Sequence, residues 1–341
     1  MIMQISLIYD EYYLNNKIFD LSNKMINIDN LAYQYYVFKE AFLNRGYKLD
    51  TYDLVSNWKH EIKFYFNLQH SDLLTQDVNN SFLFIFEPEI IQPQLYDKNY
   101  HQKFNKIFTF CDELVDNKKY FKINYSYLIP TKLNKNINIK SKLCTLVAGN
   151  KMVSHPLELY SKRVEAIRWF ETHHLEEFDL YGRGWREYVS SNRLFNMISR
   201  RVPLVKQILK LIYAKPFLSY RGEIDDKIPV LEKYRFAICY ENARDIPGYI
   251  TEKIFHCFFA GCVPIYWGAN NITDYVPANC FIDKRKFKSY EELYSYINNI
   301  SDAEYLNYLI NIEKYLNSEQ IQQFSAENFA NTVIKEVLNE G

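Results

Sequence analysis

Short apolar runs, closed by glycine or by polar clusters, alternate along this chain with stretches whose apolar residues recur at helical spacing. That alternation predicts an α/β architecture of parallel strands joined by helices, with both faces of each sheet covered. In the first half, 4–9 (QISLIY) reads as a buried strand, and a helix with an aromatic face follows from about Leu31 to Asn44, stopped by Gly46. Tyr47–Tyr52 and Phe82–Phe86 read as strands with a polar loop between them, and Phe104–Phe110 and Phe121–Tyr125 as two further short elements. Thr131–Lys142 holds three Asn and four Lys and reads as a linker. Beyond it, Leu143–Val147 is an apolar strand leading into Ala148-Gly149-Asn150. Pro156 opens a helix to about Thr172, and Phe178–Tyr181 is a short strand closed by Gly182. Tyr290–Tyr315 and Glu319–Leu338 have helical period, as terminal helices able to return to the first domain. At 341 residues the chain exceeds one ordinary core. Two domains are expected, 1–135 and 136–341.

The densest information lies in Tyr234–Asp283. The strand Phe236–Tyr240 ends in Glu241-Asn242, and a Pro247-Gly248 turn follows. Thr251-Glu252-Lys253 then opens an amphipathic helix that Gly261 stops, and a second buried strand, Val263–Trp267, runs into Gly268. In open α/β sheets, ligands bind outside the carboxyl ends of strands and at helix N-termini. Asn242 stands at such a strand end; Tyr249, Glu252 and Lys253 stand at such a helix start. Together they suit a polyol that carries phosphates: Lys253 for charge, Glu252 and Asn242 for hydroxyls, Tyr249 for a ring face.

Composition narrows the choice. With 41 basic and 41 acidic side chains the formal charge is zero, which argues against a nucleic-acid partner. The 30 Tyr and 24 Phe are mostly core material, although sugar sites also use aromatic faces. Six cysteines occur without a C-x-x-C pair and read as reduced core thiols; His256-Cys257 near Cys262 lacks zinc spacing. The N-terminus meets acidic residues too soon for a secretion signal, and no run approaches a membrane span. A cytoplasmic protein is therefore expected. Residues 188–222 contain no Asp or Glu but carry Arg193, Arg200, Arg201, Lys206, Lys210, Lys215 and Arg221, interleaved with Leu, Val and Ile. Either a basic surface helix or a peripheral membrane contact through 193–215 fits that pattern. No Asp-x-Asp occurs, so side-chain cations rather than a metal are expected to hold any diphosphate, and no cofactor is called for.

Three segments taken in order carry a family resemblance: Glu241-Asn242, Gly-Tyr-Ile-Thr-Glu-Lys at 248–253, and Gly-Cys-Val-Pro-Ile-Tyr-Trp-Gly at 261–268. This resembles the donor-site signature of glycosyltransferase family 10, the α-1,3/1,4-fucosyltransferases. The resemblance is dense over 234–283 and thinner over 141–182, where LCTLVAGN precedes a helix and FDLYGRGW follows it. In 1–140 it is confined to a patch around Phe82–Tyr125. It implies a GT-B fold, two Rossmann-like domains facing a cleft. It also implies an inverting, metal-independent transfer of fucose from GDP-fucose to a hydroxyl of an oligosaccharide acceptor, in α-1,3 linkage. On the same basis Arg163 becomes a second phosphate-binding cation, with Arg168 in reserve. Glu87, emerging from the apolar strand Phe82–Phe86, becomes the base that takes the acceptor proton, with Glu89 as the alternative. The family's flanking Gly-Glu-Asn is missing at Glu87. Golgi members of the family begin with an anchor and stem, which this sequence does not display. Were the basic stretch to bind membrane, a lipid-linked glycan would suit as acceptor. Two other readings stay open: another nucleotide sugar on the same scaffold, or a non-catalytic glycan- or lipid-binding protein, against which the charged Glu252 and Lys253 argue.

Overall fold

The structure is a computed structural model, and it describes residues 3–67, 71–187 and 216–339. Strands in chain order are β1 (Met3–Ile8), β2 (Tyr47–Thr51), β3 (Ile62–Phe66), β4 (Ser81–Ile85), β5 (Lys106–Thr109), β6 (Tyr120–Lys122), β7 (Lys142–Val147), β8 (Phe178–Tyr181), β9 (Tyr220–Gly222), β10 (Tyr234–Tyr240), β11 (Val263–Trp267) and β12 (Ile282–Asp283). The longer helices are α1 (Leu31–Leu43), α2 (Tyr160–His173), α3 (Glu252–Phe259), α4 (Tyr290–Asn299), α5 (Asp302–Leu316) and α6 (Ala326–Leu338). Two compact units divide the chain. One comprises Met1–Ile129, Ile246–Tyr249 and Ser318–Gly341; the other comprises Pro130–Asp245 and Ile250–Asn317. The terminal segment with α6 groups with the first unit.

In the first unit, β2-β1-β3-β4-β5-β6 form one wholly parallel sheet. Alternation along its strands sends side chains to opposite faces. Phe64, Phe66, Phe84 and Phe108 meet Phe38 and Phe42 of α1 and Phe329 and Val333 of α6 on one side. Tyr65, Leu83, Ile85 and Ile107 pack with Phe104 on the other. The strand β3 lies at the centre of this sheet, where the sequence pattern gave only a polar loop. Lys63 is the cause: it interrupts the apolar run, yet it is fully buried. Its ammonium donates to the carbonyls of Lys59 (3.1 Å) and Glu61 (2.7 Å) and to Asp77 (3.0 Å), so burial leaves its charge satisfied.

The second unit holds another six-stranded parallel sheet, ordered β12-β11-β10-β7-β8-β9. The chain lays down β7, β8 and β9 toward one edge, then returns to place β10, β11 and β12 on the other side of β7. Strand order therefore reverses between β7 and β10, the place where doubly wound sheets open a crevice for ligands. Several boundaries differ from the sequence pattern. The helix expected from Pro156 starts at Tyr160. The helical stretch 290–315 is two helices, broken where Ser301 forms a capping box with Glu304 at the start of α5. A short 3-10 turn, Gln320–Phe324, precedes α6. All six cysteines are buried thiols. The basic stretch 193–215 lies outside the described residues; among the described residues no helix is long and apolar enough to cross a membrane.

Candidate functional site

The reversal point of the second sheet is organised by one buried carboxylate. Glu241 follows β10 directly and is 0% exposed. It accepts hydrogen bonds from the Thr251 amide (2.8 Å), the Thr251 hydroxyl (2.7 Å) and the Lys253 ammonium (3.2 Å). The ammonium also donates to the Thr251 hydroxyl oxygen at 2.8 Å. The end of β10, the cap position of α3 and the lysine in its first turn are thereby locked into one triangle. The backbone must leave room for it. A Cβ on Gly268, just past β11, would lie 2.5 Å from Cγ of Glu241 and 2.4 Å from the Tyr266 hydroxyl. Only glycine lets the two strand ends approach so closely.

Cationic groups gather around this triangle. Arg163, in the first turn of α2, is 4% exposed. Its guanidinium donates to the Tyr240 carbonyl (3.2 and 2.6 Å) and to the Asn242 side-chain oxygen (3.0 Å). Glu252 presents one carboxylate oxygen to two ammoniums, Lys253 at 3.6 Å and Lys227 at 3.7 Å. Arg163, Lys227, Lys253 and His256 line a recess with Val147 and Ala148 from the end of β7 and Tyr240 from the end of β10. Its empty volume is about 380 Å³, open solvent at the mouth included. Burial works against the charge on Glu252, but Lys253, Lys227 and His256 outweigh it and hold its carboxyl below the usual range. Burial likewise disfavours the Lys253 ammonium, while Glu241 and Glu252 prevail over burial and the nearby Arg163 and raise it. Both groups are therefore charged at neutral pH. Such a recess, with ammoniums at the N-terminus of α3, suits an anionic ligand that also offers hydroxyls.

The model of glycosyltransferase family 10 (fucosyltransferase), C-terminal part, matches residues 137–334, which is more than half of the chain. The chain belongs to that family. An α-(1,4)-fucosyltransferase of Arabidopsis thaliana is 40% identical over 72 residues, 21% of this chain and 18% of that protein. The α-(1,3)-fucosyltransferase FucT of Helicobacter pylori is 28% identical over 125 residues, 36% of this chain and 26% of that protein. Mouse 4-galactosyl-N-acetylglucosaminide 3-α-L-fucosyltransferase 9 is 33% identical over 128 residues, 36% of this chain and 35% of that protein. The chain thus matches about a third or less of the length of these relatives. Among solved structures, an α1,3-fucosyltransferase with GDP superposes with a TM-score of 0.56 at 14% identity, covering 99% of this chain and 91% of that one. Alr3699/HepE of Anabaena, in complex with UDP and glucose, reaches 0.52 at 10% identity, covering 99% and 100%. At such identities the likeness is one of fold. With two parallel sheets each flanked by helices, it makes this family 10 protein a GT-B fold.

The residues singled out in sequence fare differently. Arg163 and Lys253 line the recess, Glu252 pairs with Lys253 beside it, and Asn242 joins them by anchoring Arg163. Tyr249 belongs to the first compact unit, 1% exposed, its ring 5.0 Å from that of Phe110. A ring so enclosed shows no open face. The reserve cation, Arg168, bonds Glu171 (2.7 Å) and the Pro216 carbonyl (2.8 Å) and stacks on Phe217, a structural engagement. Glu87 stands in the first unit at the carboxyl end of β4, half-buried, its carbonyl accepting from the Tyr96 hydroxyl at 3.0 Å. Burial above all pushes up the phenols of Tyr9 and Tyr96, with Glu87 a lesser contributor beside Tyr13 at the one and Cys111 and Glu89 at the other. Glu89 is exposed. Sequence reasoning passed over Glu241, Thr251, Lys227 and His256 as site residues. The signal for Glu241 was present: a carboxylate set directly after a long buried strand must find partners or stay out of the core. Among the described residues no group of three or more His, Cys, Asp or Glu is placed to hold a metal ion.

Proposed function

We propose that this protein is an inverting glycosyltransferase that moves fucose from GDP-fucose to a hydroxyl of a glycan acceptor, in α-1,3 linkage, with side-chain cations in place of a metal. Membership of family 10 supports the donor. The observation that carries the reading is the cationic recess at the reversal point of the second sheet, inside the family-matched region. In the reaction the acceptor oxygen forms a bond to the anomeric carbon while the bond to the diphosphate oxygen breaks. Glu87 takes the acceptor proton, and GDP departs with the bonding electron pair. Lys253, assisted by the dipole of α3, and Arg163 stabilise the charge growing on the diphosphate. Glu252 binds ribose or fucose hydroxyls. Asn242 acts through Arg163 by holding its guanidinium.

Its similarity to α-(1,4)- and α-(1,3)-fucosyltransferases favours fucose over another sugar on the same scaffold. Incubation with labelled GDP-fucose tests this directly. Label should pass to an added N-acetylglucosamine- or glucose-containing oligosaccharide, with slow hydrolysis in its absence. If GDP-fucose is neither hydrolysed nor consumed while a UDP-sugar is, the donor assignment is wrong. If no nucleotide sugar is consumed at all, the protein is a binding module.

A further inference from the structure

Lys227 was not among the residues the sequence singled out, yet the fold brings it to the heart of the recess. It precedes the short helical turn Ile228–Leu231, which packs against α3. Its ammonium lies 3.7 Å from Oε1 of Glu252, the same oxygen that the Lys253 ammonium approaches to 3.6 Å. Both separations exceed a direct hydrogen bond. Two ammoniums from different elements therefore converge on one anionic oxygen by charge rather than through short bonds. With Arg163 they bring three cations to the recess, beside the carboxylates of Glu241 and Glu252.

We propose that Lys227 is a third cation of the donor site, contacting the diphosphate of the nucleotide sugar together with Lys253. This rests on the donor-site reading above. Glu252 occupies the point where the two ammoniums meet. When the nucleotide enters, phosphate oxygens take that place between the lysines, and Glu252 turns to the hydroxyls of the donor. A lysine suits the task because an ammonium is a point charge on a flexible stem that can follow the phosphate.

The test is a calorimetric titration of GDP, GMP and guanosine into the wild type, Lys227→Ala and Lys227→Arg, with UDP as a further arm. The Lys227 side chain is 30% exposed, so its truncation leaves no buried void, and thermal unfolding of each variant checks the fold. Loss of one charge-assisted contact should weaken GDP binding by about tenfold in Lys227→Ala. GMP should lose less, guanosine should be unaffected, and Lys227→Arg should recover most of the loss. If the wild type binds GDP and Lys227→Ala binds it equally well, Lys227 has no such role, while the donor-site reading stands. If GDP and guanosine weaken together, the lysine is structural and the proposal fails. A wild type that binds neither GDP nor UDP overturns the donor-site reading and the role of Lys227 with it.

Discussion

Glu241 and Lys253 touch each other but serve different ends, and substitution should separate them. Lys253 is partly exposed at the recess, so Lys253→Ala should fold. Loss of its contact with the departing diphosphate should lower turnover at saturating donor by about ten- to a hundredfold and weaken GDP binding as well. Parental turnover and parental GDP affinity in a folded variant would refute that role. In Glu241→Ala the amide and hydroxyl of Thr251 lose a buried acceptor. Stability should fall by about 1–3 kcal/mol, read from the midpoint of urea unfolding, before any effect on chemistry is considered. Glu87→Gln should leave GDP binding unchanged and cut turnover by about 10²–10⁴-fold, the usual size of general-base catalysis; near-normal turnover would move the role to Glu89 or elsewhere. Lys253 and Glu252 were legible in the sequence because they sit in a helix start whose chemistry is local. The place of Glu241 after a buried strand was a signal too, but its partners, like the role of Lys227, arise from what β10, α3 and the Ile228 turn bring together across the fold.

At the scale of elements, strand ends carry the site. β7 and β8 finish side by side, and Gly182 just after β8 has a φ of +124°. A Cβ there would fall 2.1 Å from the carbonyl oxygen of Ala148, which lines the recess. Gly182→Ala should therefore force the two loops apart. Strain at such a backbone position costs about 1–3 kcal/mol, so the thermal midpoint should drop by several degrees and GDP affinity should fall with it. An unchanged midpoint would show that the loops adapt freely. Strands with a long apolar run, such as β4, β11 and the Phe236–Tyr240 part of β10, were legible from sequence alone. β3 was not, because pattern cannot distinguish a buried, fully bonded Lys63 from a loop lysine. The break between α4 and α5 was hidden for another reason: Ser301 and Glu304 cap a new helix without disturbing the apolar period across it.

For the whole molecule, alternation of strands and helices was enough to foresee two parallel sheets. It could not give the place of α6, which belongs with the first unit because Phe329 and Val333 complete the cluster around Phe38 and Phe42. Nor does pattern reveal the reversal between β7 and β10, which depends on pairing between strands far apart in sequence. We propose that this GT-B fold transfers fucose with inversion, using Lys253 and its neighbouring cations where other transferases use a metal. The most direct measurement follows the reaction of GDP-fucose with an N-acetylglucosamine-containing oligosaccharide by proton NMR, in excess EDTA. This mechanism predicts a new α-fucoside, the anomer opposite to the β-linked donor, formed at the same rate with and without chelator. Retention of the donor's configuration, or a reaction abolished by EDTA and restored by manganese, would contradict it.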